Sequence, residues 1–100
     1  LLDIIVSNVD SNDTSVFLQN GNGTFQEQMR YSVGSGPCSI AVGDLNSDGM
    51  SDIVVANRGS NDISILFGQG DGSFRNETRY TTNSSPFVAV ADFNNDSVLD

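Results

Sequence analysis

Apolar and polar positions along the chain fall into short runs, with no helical stripe. Residues 39–44 read SIAVGD and residues 52–57 read DIVVAN. Small and β-branched side chains fill both runs, and neither alternates cleanly, so both faces of each strand are expected to be covered. Residues 63–68, ISILFG, form a third apolar strand. Gln69, Gly70, Asp71 and Gly72 then mark a hairpin turn, because Gly and Asp tolerate positive φ. Residues 74–80, FRNETRY, form a fourth strand, polar and charged as an exposed edge should be. Residues 81–86 cross to the next unit. No 3.6-residue period of useful length occurs, so the pattern predicts an all-β chain.

The pattern repeats. Asp52 follows Asp3 by 49 residues, and DIVVAN follows DIIVSN at that offset. So does SND at 60–62 after SND at 11–13, and QGDGSF at 69–74 after NGNGTF at 20–25. Arg79, Tyr80 and Pro86 repeat Arg30, Tyr31 and Pro37 in the same way. Past the proline the offset falls to 48, with Cys38 as the extra residue, and AVADFNNDSVLD aligns with AVGDLNSDGMSD. Four antiparallel strands per unit of roughly 50 residues predict β-propeller blades. In that frame residues 1–37 supply strands two to four of a first blade. Residues 38–86 make one complete blade, and residues 87–100 supply the first strand and loop of the next. About two blades do not close a ring, so the chain reads as a fragment of a longer one that also holds the remaining blades.

Between the first two strands lies an acidic loop, residues 44–52, DLNSDGMSD. Oxygen-bearing side chains occupy its first, third, fifth and ninth positions: Asp44, Asn46, Asp48 and Asp52. Gly49 is sixth, where the loop must turn sharply, and the carbonyl of Met50 falls seventh. Alternating oxygens on a tight loop suit a hard cation, and Ca²⁺ takes six to eight of them at ~2.3–2.6 Å. Without a cation, each pair of carboxylates within ~4–5 Å would cost on the order of 1–4 kcal/mol. Residues 92–100, DFNNDSVLD, repeat the set as Asp92, Asn94, Asp96, the carbonyl of Val98 and Asp100. Ser97 replaces the glycine there. If that position needs positive φ, the site is weakened by about 1 kcal/mol. Asp3 matches the ninth position of a loop whose earlier positions precede the sequence. An EF-hand is excluded: its twelfth position must be Glu, and the twelfth from Asp44 is Val55.

Composition narrows the function. The net charge is −9, with no Lys or His and four cations, Arg30, Arg58, Arg75 and Arg79. Nucleic-acid binding needs clustered Lys and Arg and is excluded on that ground. Adsorption to anionic membranes fails for the same reason. No run is long enough to span a bilayer as a helix, so no direct membrane insertion is expected. Seven of the thirteen acids (Asp3, Asp44, Asp48, Asp52, Asp92, Asp96 and Asp100) lie in or beside the loop motif. The charge therefore reads as cation-binding equipment. Without His or Lys, Ser-His, Cys-His, Ser-Lys and Schiff-base chemistry are out, and no enzymatic activity is expected. The glycine turns at 20–23 and 69–72 are not phosphate loops, since no helix and no Lys follow them.

With these motifs in place, the chain resembles the FG-GAP (VCBS-like) repeat family, which includes the propeller of integrin α subunits. The resemblance covers nearly the whole chain. It rests on AVGDLNSDGMSDIVVAN at 41–57 and ISILFGQGDGSF at 63–74. The family's calcium loop, D-x-[DN]-x-D-G-x-x-D, is met by Asp44, Asn46, Asp48, Gly49 and Asp52. The resemblance implies a calcium-stabilised extracellular module for adhesion or ligand recognition. Its partner would be a protein or a carbohydrate. The alternative is an accessory propeller in a secreted enzyme such as a polysaccharide-active lyase or hydrolase. Asn12, Asn22, Asn76, Asn83 and Asn95 begin N-x-[ST] sequons, and Asn12, Asn76 and Asn83 are the plausible acceptors in a secreted glycoprotein. Cys38 is read as a small buried residue, with a disulfide to another part of a longer chain as the alternative.

Overall fold

The computed structural model describes residues 3–82. Among the described residues, seven strands make two antiparallel sheets. The first sheet holds β1 (Ile4–Asn8), β2 (Asp13–Phe17) and β3 (Met29–Ser32) in that order. The second holds β4 (Pro37–Gly43), β5 (Asp52–Asn57), β6 (Asp62–Leu66) and β7 (Thr78–Thr81). The fold is all-β and the sheets do not close on themselves, as two propeller-like blades would not. β5 is buried along its whole length, which is why its sequence lacks alternation. β7 is exposed at every residue and carries Arg79, as an edge strand should.

The same register recurs in both sheets. Ile4 faces Phe17 and Asn8 faces Asp13; 49 residues on, Ile53 faces Leu66 and Asn57 faces Asp62. The turns repeat as well. Asn12 and Asn61 hold left-handed φ values of 56° and 53°, which Asn tolerates better than most residues. The core lies between the sheets. Val16 and Val33 of the first meet Ile53, Val55 and Leu66 of the second, with Ile5, Leu18, Tyr31, Ile40 and Phe74 packed against them. Tyr31 and Phe74 meet edge to face at 5.6 Å, and the Phe74 amide donates to the Tyr31 hydroxyl at 3.1 Å.

Three expectations need correction. The fourth strand was expected over 74–80, but the ladder holds only Thr78–Thr81, with Phe74 in a separate bridge to Gly68. The ladder pairs Ile65 with Thr78, so the stretch from Phe74 to Thr78 carries one residue more than the stretch it faces. That extra residue breaks the pairing. The first sheet repeats the break with its Gln19–Phe25 bridge. Cys38 was expected to be buried and is exposed. The ladder steps from Pro37–Asn57 to Ser39–Ala56, so Cys38 is the bulged residue, and it is also the one extra residue between the repeats. Finally, β4 is only half covered: Val42 is 51% exposed.

Candidate metal centre

Residues 44–51 join β4 to β5. Asp44 follows the last residue of β4 and is half-buried, Asn46 and Asp48 are exposed, and Asp52 opens β5 fully buried. Asp44, Asp48 and Asp52 each offer one carboxylate oxygen, and these atoms lie within 4.8 Å of one another. The loop is shaped by its own carboxylates. Asp44 accepts the amides of Asp48 at 3.2 Å and Gly49 at 2.8 Å, and Asp48 accepts the Met50 amide at 2.9 Å. Ser47 and Gly49 hold left-handed φ values of 59° and 80°. An added Cβ at Gly49 would meet nothing within 4 Å. The glycine is needed there for backbone freedom and not for space.

Asp52 is the buried hub. One oxygen accepts the Leu45 amide at 2.8 Å, and the other accepts the Gly68 amide at 2.9 Å. It therefore ties the loop and the far end of β6 to the start of β5. Its role as an acceptor for two amides was not read from the sequence, although the repeat carried a sign of it. Asp3, its counterpart, accepts the Gln19 amide at 3.0 Å in the first sheet.

Three converging carboxylates need charge compensation. Arg30 pairs with Asp13, and Arg79 with Asp62 and Glu77, all remote in sequence from this loop. Desolvation raises the Asp44 pKa, but the backbone N–H groups of Gly49, Asp48 and Ser47 outweigh it and hold the carboxyl below its usual range. Asp44 is thus ionised at neutral pH, as a cation ligand must be. Each carboxylate oxygen carries two lone pairs, so the amide bonds leave room for a cation. The donor set is all oxygen, which suits a hard cation over a soft one. The cluster can hold a metal ion. Met50 is half-buried, and its sulfur lies 2.8 Å from where a Cβ on Gly70 would stand, so its side chain packs on the turn at 69–72. The second set, Asp92, Asn94, Asp96, Val98 and Asp100, lies outside the described residues.

No curated protein and no solved structure matches the chain. A family profile does: the FG-GAP-like repeat matches residues 1–55 and again residues 44–100. The two matches overlap on the acidic loop and the start of β5, the stretch that the internal repeat singles out. The chain belongs to the FG-GAP-like repeat family.

Proposed function

We propose that this chain is a Ca²⁺-binding, non-enzymatic repeat module of an extracellular protein, serving adhesion or ligand recognition. The observation that carries the reading is the convergence of Asp44, Asp48 and Asp52 on one point. The side-chain oxygen of Asn46 and the carbonyl of Met50 would add to these three carboxylates. Asp92, Asn94, Asp96, the Val98 carbonyl and Asp100 would form a second site of the same kind. Bound Ca²⁺ would neutralise the carboxylates and fix the β4–β5 hairpin. A ligand set of this sort binds in the range of extracellular modules, roughly 10⁻⁴–10⁻³ M. Such a site fills outside cells and stays empty in cytosol. FG-GAP repeats typically occur in extracellular or cell-surface proteins and are generally non-enzymatic, which supports both placements. The partner would be a protein or a carbohydrate held by loops on the propeller frame.

Calorimetric titration with Ca²⁺ tests the reading. The chain should take up Ca²⁺, and Asp48→Ala should remove the binding assigned to this loop. No heat of binding, or an Asp48→Ala chain that binds unchanged, would refute it. Asp48 is exposed, its carboxylate accepts the amide of Met50 two residues on, and its own amide stays in place on substitution, so the variant should still fold.

A further inference from the structure

Three of the N-x-[ST] sequons, at Asn12, Asn22 and Asn76, fall among the described residues, and the fold treats them differently. Asn12 sits at a left-handed φ of 56°, and its carboxamide oxygen accepts the Gly36 amide at 3.1 Å. A group on its nitrogen would stand against the linker from β3 to β4. The hydroxyl of that sequon, on Thr14, is fully buried inside β2. Asn22 is exposed at a hairpin tip, but its carboxamide oxygen accepts both the amide and the hydroxyl of Thr24. That sequon is closed on itself.

Asn76 is open. It lies off the ladder, between the Phe74 bridge and β7, in the stretch that carries the extra residue. It is exposed, and its carboxamide makes no hydrogen bond among the described residues. Its neighbour Glu77 is tied down, accepting the Ser64 hydroxyl at 2.6 Å and pairing with Arg79. Thr78, which supplies the sequon hydroxyl, is exposed at the start of β7. The exposure of Asn76 belongs to its position in the blade. Its counterpart 49 residues earlier, Glu27, is also exposed, although the second sheet packs against the first. A polar cleft of about 380 Å³ opens at Asn76, lined also by Arg30, Tyr31, Ser32 and Glu77. It offers hydrogen-bonding groups from both sheets and room for a sugar ring.

We infer that Asn76 is the preferred N-glycan acceptor among these three, with the innermost sugar seated beside this cleft. An exposed sequon on an irregular segment is the substrate that the modification requires. The donor is a lipid-linked oligosaccharide diphosphate. The Asn76 amide nitrogen bonds to C1 of its first sugar, and the bond from C1 to the diphosphate oxygen breaks. The lipid diphosphate leaves, and the amide gives up one proton. The inference rests on the extracellular part of the proposed function and not on Ca²⁺, because Asn76 lies outside the acidic loop.

Secretion of the chain from a eukaryotic cell tests it, behind a signal peptide and with a reporter sequon in an appended tail. Enzymatic release of the glycans leaves Asp at each occupied position, and mass spectrometry of the peptides reads the occupancy. Asn76 should be occupied in most molecules whose tail is glycosylated, and several-fold more often than Asn12 or Asn22. An empty Asn76 beside a glycosylated tail, or Asn12 or Asn22 filled as often, would overturn the inference. The tail shows that the chain met the donor, so an empty Asn76 is a property of the site. Substitution gives the second check. Asn76→Gln should lose one glycan relative to the unsubstituted chain, and the double variant Asn12→Gln with Asn22→Gln should keep the full glycan mass. The reverse pattern would overturn the inference. Ca²⁺ titration of the same secreted chain reads the acidic loop alone, so the two readings fail separately.

Discussion

The two sheets carry the same polar group, and they treat it differently. In the second, the Asn57 amide donates to Asp62 and to the Ser64 hydroxyl, both at 2.9 Å, and Ser64 donates to Glu77 at 2.6 Å. In the first, Asn8 donates to Asp13 at 2.7 Å and to Ser15 at 2.8 Å, and Ser15 donates to Gln28 at 2.8 Å. Ser60 and Ser11 complete the pattern on Asp62 and Asp13. The bonds match, but the burial does not. Asn57 is wholly buried, while Asn8 is only partly so. The cause lies in the neighbouring blade. Gly34, in the β3–β4 linker, passes directly over the second group, and the Ser35 amide donates to Ser60 at 3.0 Å. A repeat thus specifies its own hydrogen bonds, and the blade before it supplies the cover that makes those bonds matter.

Alanine scanning at matched positions is the strongest way to break this comparison. Asn57→Ala strips donors from a buried site and should cost about 2–3 kcal/mol, against about 1 kcal/mol or less for Asn8→Ala. Denaturant unfolding of the two variants measures the difference, and equal losses would show that the cover is irrelevant. Gly34→Ala should come next. Its methyl would stand 2.6 Å from the Asp62 carboxylate and the Ser60 hydroxyl, which overpacks the joint by about 1–3 kcal/mol. A neutral Gly34→Ala would mean that the linker lifts freely.

The repeat explains why so much was legible in advance. Strand order, the hairpin turns and the acidic loop all follow from local residue types that recur at one spacing. Even the bulge at Cys38 was visible as the extra residue between repeats, although its consequence was not: a bulged residue leaves the ladder, so the side chain is exposed. What stayed illegible depends on contacts between blades. Gly34 looks like any linker glycine until Asn57, Ser60 and Asp62 are seen beneath it. The extra residue after Phe74 is hidden because Phe74, Thr78 and Tyr80 bracket the stretch as one strand-like run. At the loop, the convergence of the three acids was legible. The two amides on Asp52 were not, since one comes from Gly68 across the sheet.

The smallest effect sharpens the comparison by charge alone. The two hairpin turns differ in the charge of one acceptor: Asn22 receives the Thr24 amide at 3.1 Å, and Asp71 receives the Ser73 amide at 2.9 Å. The Ser73 hydroxyl, then its amide, hold Asp71 below its ordinary value of 3.8 against opposing desolvation. A carboxyl lowered on folding stabilises above its ordinary value, and that contribution is lost as pH falls through the lower, folded value. Acidification through and below 3.8 should therefore release the Ser73 amide to hydrogen exchange and leave Thr24 unaffected. Parallel loss at both turns would mean global unfolding and not titration of Asp71.

The central claim is that the loop at Asp44, Asp48 and Asp52 is a cation clamp on the β4–β5 hairpin. Thermal unfolding with and without Ca²⁺ tests it most directly. With a dissociation constant of ~10⁻⁴–10⁻³ M, about 10 mM Ca²⁺ should stabilise the fold by ~1.4–2.7 kcal/mol. At ~4–8 °C per kcal/mol, Tm should rise by about 6 °C or more over the value in chelator. Asp48→Ala should lose most of that rise while melting normally in chelator. A Tm indifferent to Ca²⁺, or an Asp48→Ala chain that gains as much as the unsubstituted one, would contradict the account.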